Sequence, residues 1–152
     1  MKVKISANAY YLPETVESIE ALQNDNPDWD IPKILDKTGV RKRVISDENQ
    51  TAVDMAYEAA KKLFQDKGNY ESIDLLVLVT QSPDYVLPTS ACILQDKLGL
   101  SKKCMAFDVN LGCSGFVYAL SIVGSLIESG VANTGLILCA DTYSKYINKN
   151  EM

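Results

Sequence analysis

Five apolar residues in a row, Leu75-Leu76-Val77-Leu78-Val79, constrain this chain more than any other feature. Successive residues of a strand point to opposite faces, so an unbroken apolar run belongs where both faces are covered, as in a parallel sheet. The run is far short of the roughly 20 residues a membrane-spanning helix needs. The pattern predicts a strand over residues 73–80, with similar strands over 104–110 and 134–141. Residues 2–10 alternate partly (Val3, Ile5, Ala7) and are expected to form a first strand, stopped at Pro13 because proline cannot continue a ladder.

Helical patterns fall between these strands. Thr51-Ala52-Val53-Asp54 is a capping pattern, and Ala52, Ala56, Ala59, Ala60 and Leu63 follow at helical spacing, with Gly68 as the expected stop. Pro88 opens a helix carrying Ile93, Leu94 and Leu98 to Gly99. Residues 114–130 are helical and apolar nearly all round, the mark of a helix packed on several sides. A short helix is expected over 18–24, loop over 24–33, and a short extended segment after Gly39. Alternating strands and helices point to an α/β fold with parallel strands.

Composition narrows the function. With 152 residues, 47% hydrophobic and 23% charged, the chain is expected to be a single ordered unit with a core of its own. A net charge of −5 argues against a nucleic-acid partner. There is no histidine, so no Ser–His or Cys–His pair can be completed within the chain. The cysteines, Cys92, Cys104, Cys113 and Cys139, form no CxxC, and neither a zinc ribbon nor a disulfide framework is expected. No metal site, signal core or membrane partner is indicated, and the expected setting is cytoplasmic, with free thiols.

One segment reads as a site: Phe107-Asp108-Val109-Asn110-Leu111-Gly112-Cys113-Ser114-Gly115-Phe116. A buried strand ends, and a cysteine opens the most apolar helix. A thiol there meets the positive end of the helix and unpaired N–H groups, which favour the nucleophilic thiolate and can stabilise an oxyanion. Gly112 and Gly115 are expected to permit a sharp turn and close approach of a substrate. The alternative reading is a small buried core cysteine, the reading kept for Cys92, Cys104 and Cys139.

Ordered motifs carry a resemblance along nearly the whole chain. They are Tyr11-Leu12-Pro13-Glu14, Lys37-Thr38-Gly39-Val40-Arg41-Lys42-Arg43, Leu87-Pro88-Thr89-Ser90-Ala91-Cys92, Ala106-Phe107-Asp108-Val109 and Gly112-Cys113-Ser114-Gly115-Phe116-Val117-Tyr118-Ala119-Leu120. Together they resemble the N-terminal portion of the 3-oxoacyl-acyl-carrier-protein synthase III family, condensing enzymes of the thiolase fold. The resemblance implies that Cys113 is the nucleophile, taking an acyl group from acyl-CoA before condensation with malonyl-acyl-carrier protein, and that its backbone N–H is one oxyanion donor. It implies acyl-CoA as substrate with no tightly bound cofactor, acyl carrier protein as partner, and a homodimer joined through the edge strand 104–110.

Trp29 and Lys37 match the family's CoA-holding tryptophan and basic residue, although seven residues separate them and lysine stands where arginine is usual. Leu87 matches a residue that shapes the acyl pocket across the dimer; a core leucine is the alternative. Arg41 and Arg43 are placed to meet CoA or carrier-protein phosphates. The family's catalytic histidine and asparagine belong to its C-terminal half. The chain is therefore expected to be a truncated N-terminal half-domain, 1–152, needing a C-terminal half or complementary chain. Two other readings use the same residues: an acyltransferase of the same fold without chain extension, and a non-catalytic partner subunit of a condensing-enzyme heterodimer.

Overall fold

The computed structural model describes residues 2–67 and 70–146. Two compact units divide the chain: residues 12–49 form the smaller, and residues 1–11 with 50–152 the larger.

The smaller unit pairs β1 (Thr15–Ser18) antiparallel with β2 (Lys42–Ile45), Thr15 opposite Ile45 and Ser18 opposite Lys42. Glu17 faces Arg43 across the ladder and forms an ion pair with it. Between the strands lie α1 (Ile19–Asp25) and α2 (Ile31–Thr38). Ser18 caps α1, accepting the Ala21 N–H at 3.2 Å. The loop expected over 24–33 is shorter than its composition implied: Asp30 is the α2 cap, accepting the Lys33 N–H at 3.1 Å, and Pro32 lies in the first helical turn, where its missing N–H costs nothing. Gly39 ends the helix with φ +68°, a conformation that suits glycine.

The larger unit is built on a three-stranded parallel sheet in the order β4–β3–β5: β3 (Leu75–Val79) at the centre, β4 (Met105–Val109) and β5 (Gly135–Cys139) at its sides. All five β3 residues are buried, at roughly 1.5–3 kcal/mol per large side chain. Their alternation divides the core. Leu76 and Leu78 pack with Val53, Ala56 and Ala60 of α3 (Ala52–Lys67) and with Ala91 and Leu94 of α4 (Ser90–Lys97). Leu75, Val77 and Val79 pack with Ala119 and Val123 of α5 (Gly115–Glu128). The cap expected at Thr51 is formed: its Oγ1 accepts the Asp54 N–H at 3.1 Å, and Asp54 accepts the Thr51 N–H at 3.1 Å. Gly68, the expected helix stop, lies outside the described residues.

The strand expected over 2–10 is not formed. β4 and β5 flank β3, and among the described residues no ladder reaches 2–10. An alternating pattern supplies a face but not a hydrogen-bonding neighbour. Residues 5–9 instead line a cavity of about 300 Å³ with Lys62 and Leu63 of α3. α5 also departs from its expected burial. Gly115, Ala119, Val123 and Gly124 are buried, whereas Phe116, Val117, Tyr118 and Ile122 are 37–62% exposed. The face turned away from the sheet is apolar and open. Among the described residues, no helix is long and apolar enough to cross a membrane.

Candidate active site

The three parallel strands end level: Val79 of β3 pairs with Val109 of β4 and with Cys139 of β5. β3 passes the chain to α4 on one face of the sheet, and β4 passes it to α5 on the other. Adjacent parallel strands whose outgoing loops turn to opposite faces leave a crevice at their carboxyl ends, where α/β proteins bind ligands. The loop on the β4 side carries Cys113.

Cys113 is exposed and precedes Ser114, the residue capping α5. The Gly115 N–H donates to the Gly112 carbonyl at 2.8 Å, closing a turn around the thiol. The Ser114 side chain makes no capping bond, so the first-turn N–H groups of this 14-residue helix remain a source of positive potential. Cys104 is buried and Cys92 half-buried, but Cys139, the last residue of β5, is exposed. Partial burial, then the Asp141 charge, push the Cys139 thiol up; burial, then the Asp74 charge, do the same to Cys104.

The sharp turn expected at the glycines flanking Cys113 is formed. Neither has positive φ. A Cβ on Gly115 would lie 2.4 Å from Val79 Cγ1, and one on Gly112 would lie 2.8 Å from Gln81 Oε1. Both glycines also let the turn approach β3 and the loop after it closely.

Two carboxylates that sequence reasoning missed shape this end of the sheet. Asp108 accepts the Ser90 N–H at 2.9 Å and the Ala91 N–H at 2.7 Å, fixing the start of α4 beside the end of β4. Asp141 accepts the Gln81 N–H at 2.7 Å, the Ser82 hydroxyl at 3.0 Å and the Thr80 hydroxyl at 3.2 Å. Ser82 Oγ in turn accepts the Thr142 N–H at 2.8 Å. No local motif announces what either carboxylate binds, since their partners are 17 to 61 residues away.

Leu87 is 83% exposed in the loop between β3 and α4, with a cis bond to Pro88. It shares the larger unit with Cys113. Trp29, Lys37 and Arg41 belong to the smaller unit. Trp29 is half-buried before α2; Lys37 is exposed in its last turn. Arg41 is exposed, its carbonyl accepting the Ile19 N–H at 3.0 Å. Among the described residues, no group of three or more His, Cys, Asp or Glu side chains is placed to hold a metal ion.

Comparison with known proteins agrees with this architecture. Residues 107–152, from β4 through the Cys113 turn and onward, match the family model described as 3-oxoacyl-[acyl-carrier-protein (ACP)] synthase III. A beta-ketoacyl-[acyl-carrier-protein] synthase III of Clostridium perfringens is 44% identical over 142 residues, covering 91% of this chain and 42% of the relative. A crystal structure of a 3-oxoacyl-(acyl-carrier-protein) synthase III superimposes with TM-score 0.89 at 50% identity, covering 97% of this chain and 45% of that one. The corresponding enzyme of Thermus thermophilus gives TM-score 0.89 at 30% identity, over 98% of this chain and 46% of that one. The fold is therefore α/β and thiolase-like. Over nearly its whole length the chain is similar to enzymes of the 3-oxoacyl-acyl-carrier-protein synthase III family, and it spans less than half the length of the relatives it matches.

Proposed function

We propose that this chain is the nucleophile-bearing, N-terminal part of a condensing enzyme, and that Cys113 accepts an acyl group from acyl-CoA. The observation that carries the reading is the exposed Cys113 thiol at the start of α5, at the carboxyl end of the parallel sheet. The Cys113 thiolate attacks the thioester carbonyl; backbone N–H groups at the turn, that of Cys113 among them, stabilise the oxyanion. The bond from acyl carbon to CoA sulfur then breaks, and CoA leaves as a thiolate that takes up a proton.

In the second half-reaction, malonyl-acyl-carrier protein loses CO₂. The resulting carbon nucleophile attacks the acyl group and returns Cys113 as thiolate. The chain has no histidine, so groups assisting decarboxylation come from a C-terminal half or a complementary polypeptide. Leu87 shapes the acyl pocket. Trp29, Lys37 and Arg41 hold CoA or carrier-protein phosphates, Lys37 as a point charge. No tightly bound cofactor is required. The working form is a cytoplasmic homodimer.

Intact-mass spectrometry after incubation with a panel of acyl-CoAs tests the reading. One acyl adduct is expected, absent from Cys113→Ala. An adduct that survives the substitution, or none in a chain completed by its C-terminal half, refutes Cys113 as the nucleophile.

A further inference from the structure

α4 begins without a cap of its own. Thr89 stands at the cap position, yet its side chain makes no capping bond. The first two N–H groups of the helix go to another element: that of Ser90 donates to Asp108 Oδ2 at 2.9 Å, and that of Ala91 to Asp108 Oδ1 at 2.7 Å. Both carboxylate oxygens are engaged, which fixes the side chain's orientation, and Ser90 and Ala91 are fully buried. A local cap stabilises a helix end and nothing more. A cap supplied by a neighbouring strand also sets where that helix end lies. Asp108 belongs to β4, the strand that runs on into the Cys113 turn.

The loop entering α4 carries Tyr85, Val86 and Leu87, which are 63–92% exposed. So exposed a tip is placed by its anchors and not by its own packing. At the start of the loop, Asp141 holds the Gln81 N–H at 2.7 Å and the Ser82 hydroxyl at 3.0 Å. At its end, three residues beyond Leu87, stands the bidentate Asp108 clamp.

We propose that Asp108 is a positioning residue for acyl-chain selection: its carboxylate sets where Leu87 stands relative to the strand that leads to Cys113. The proposal rests on the reading of Leu87 as a wall of the acyl pocket. Asp108 acts through the backbone of Ser90 and Ala91, so its effect is on geometry.

The test compares Asp108→Asn, the double variant Asp108→Asn/Thr89→Asp and Leu87→Ala in the full chain, completed by its C-terminal half. Three readouts are taken: the ratio of Cys113 acylation rates with octanoyl-CoA and acetyl-CoA, chymotryptic cleavage of the Tyr85–Val86 bond under native conditions, and thermal unfolding. Leu87→Ala should move the ratio toward the longer chain. Asp108→Asn should move it the same way by about threefold to tenfold, speed the cleavage by about tenfold, as expected for losing one hydrogen bond to a charged group, and lower the melting temperature. Thr89→Asp gives α4 a charged cap of its own but no hold on β4. The double variant should therefore regain the wild-type melting temperature while its rate ratio and cleavage stay at the Asp108→Asn values. The proposal is overturned if Leu87→Ala shifts the ratio and Asp108→Asn does not, or if the double variant recovers selectivity together with stability, which would make Asp108 a cap only. If Leu87→Ala itself leaves the ratio unchanged, the reading of Leu87 fails and selection through it fails too, while the cleavage rates still decide whether Asp108 holds the loop.

Discussion

Gly115→Ala sets two effects of opposite sign against each other. Alanine is the better helix former, by about 1 kcal/mol in a helix interior and less at a first residue. Against this stands the contact with Val79. The added Cβ would lie 2.4 Å from Val79 Cγ1, where ordinary contact begins at 3.4 Å, so the atoms overlap by 3.4 − 2.4 = 1.0 Å. Relief to one side is limited, because the same Cβ would lie 3.2 Å from Leu111 Cβ. Val79 cannot retreat easily either: it is 4% exposed and paired on both sides, with Val109 and Cys139. Overpacking of this kind costs about 1–3 kcal/mol, and sterics should win by about 1–2 kcal/mol. At this chain length the melting temperature should fall by about 3–8 °C. Urea unfolding of Gly115→Ala, Val79→Ala and the double variant measures it. The two substitutions should couple by about 1 kcal/mol or more, the alanine at 115 being tolerated once Val79 is trimmed. A Gly115→Ala chain as stable as wild type, or a strictly additive cycle, would refute the packing account.

Two further perturbations probe the ends of the sheet and its open face. Asp74 accepts the Asn133 and Thr134 N–H groups at 2.9–3.0 Å; burial opposes its charge, but these bonds outweigh burial and hold the carboxyl below its ordinary value. Asp74→Ala should cost about 2 kcal/mol. Because the folded pKa is depressed, that contribution is complete above the unfolded value of about 3.9 and is lost as pH falls through the folded value. Unfolding curves of variant and wild type should therefore converge only in strong acid; a constant gap down to that pH would show that the carboxylate charge is not the cause. On α5, Val117 is 62% exposed within the open apolar face. That face should make the chain self-associate as its concentration rises, read by sedimentation velocity; Val117→Lys should weaken the association while changing stability by no more than about 0.5 kcal/mol, and unchanged association would mean that this face is not responsible.

Much of the fold was legible because it rests on local rules. The unbroken run at 75–79 read as a doubly covered strand and is one, and the Thr51/Asp54 cap formed as its spacing implied. The misses share a cause. Asp30 and Pro32 read as loop residues, yet in a first helical turn both are at home, and only the Ile31 that follows Asp30 into the core marks the difference. Residues 2–10 had a strand's alternation, but pairing belongs to a neighbour and not to the segment itself. α5 was read as buried all round because apolarity records what a surface prefers, not what this chain places against it. At the site, Cys113 was visible through its setting between a strand and an apolar helix. Asp108 was not: a carboxylate within a strand carries no signal of what it binds, and its partners Ser90 and Ala91 lie 18 and 17 residues back.

What joins those distant residues is register. With Val79, Val109 and Cys139 level, the residues that follow each strand, Gln81, Gly112 and Asp141, arrive at one end of the sheet. A slip of one residue would turn every β3 side chain to the opposite face, sending Leu76 and Leu78 toward α5 and withdrawing Val79 and Gln81 from the two glycines. The two helical layers are not interchangeable: α5 presents small residues, Gly115 and Ala119, to the odd-numbered side of β3, while α3 and α4 face the even-numbered leucines. Core shape therefore opposes the slip, and carboxylates hold both ends. Asp74 binds the segment entering β5, and its carbonyl accepts the Met105 N–H at 2.9 Å; Asp141, leaving β5, returns to the loop after β3. The position of the Cys113 thiol is thus a consequence of how three strands are aligned, which is why residues that never touch it contribute to where it stands.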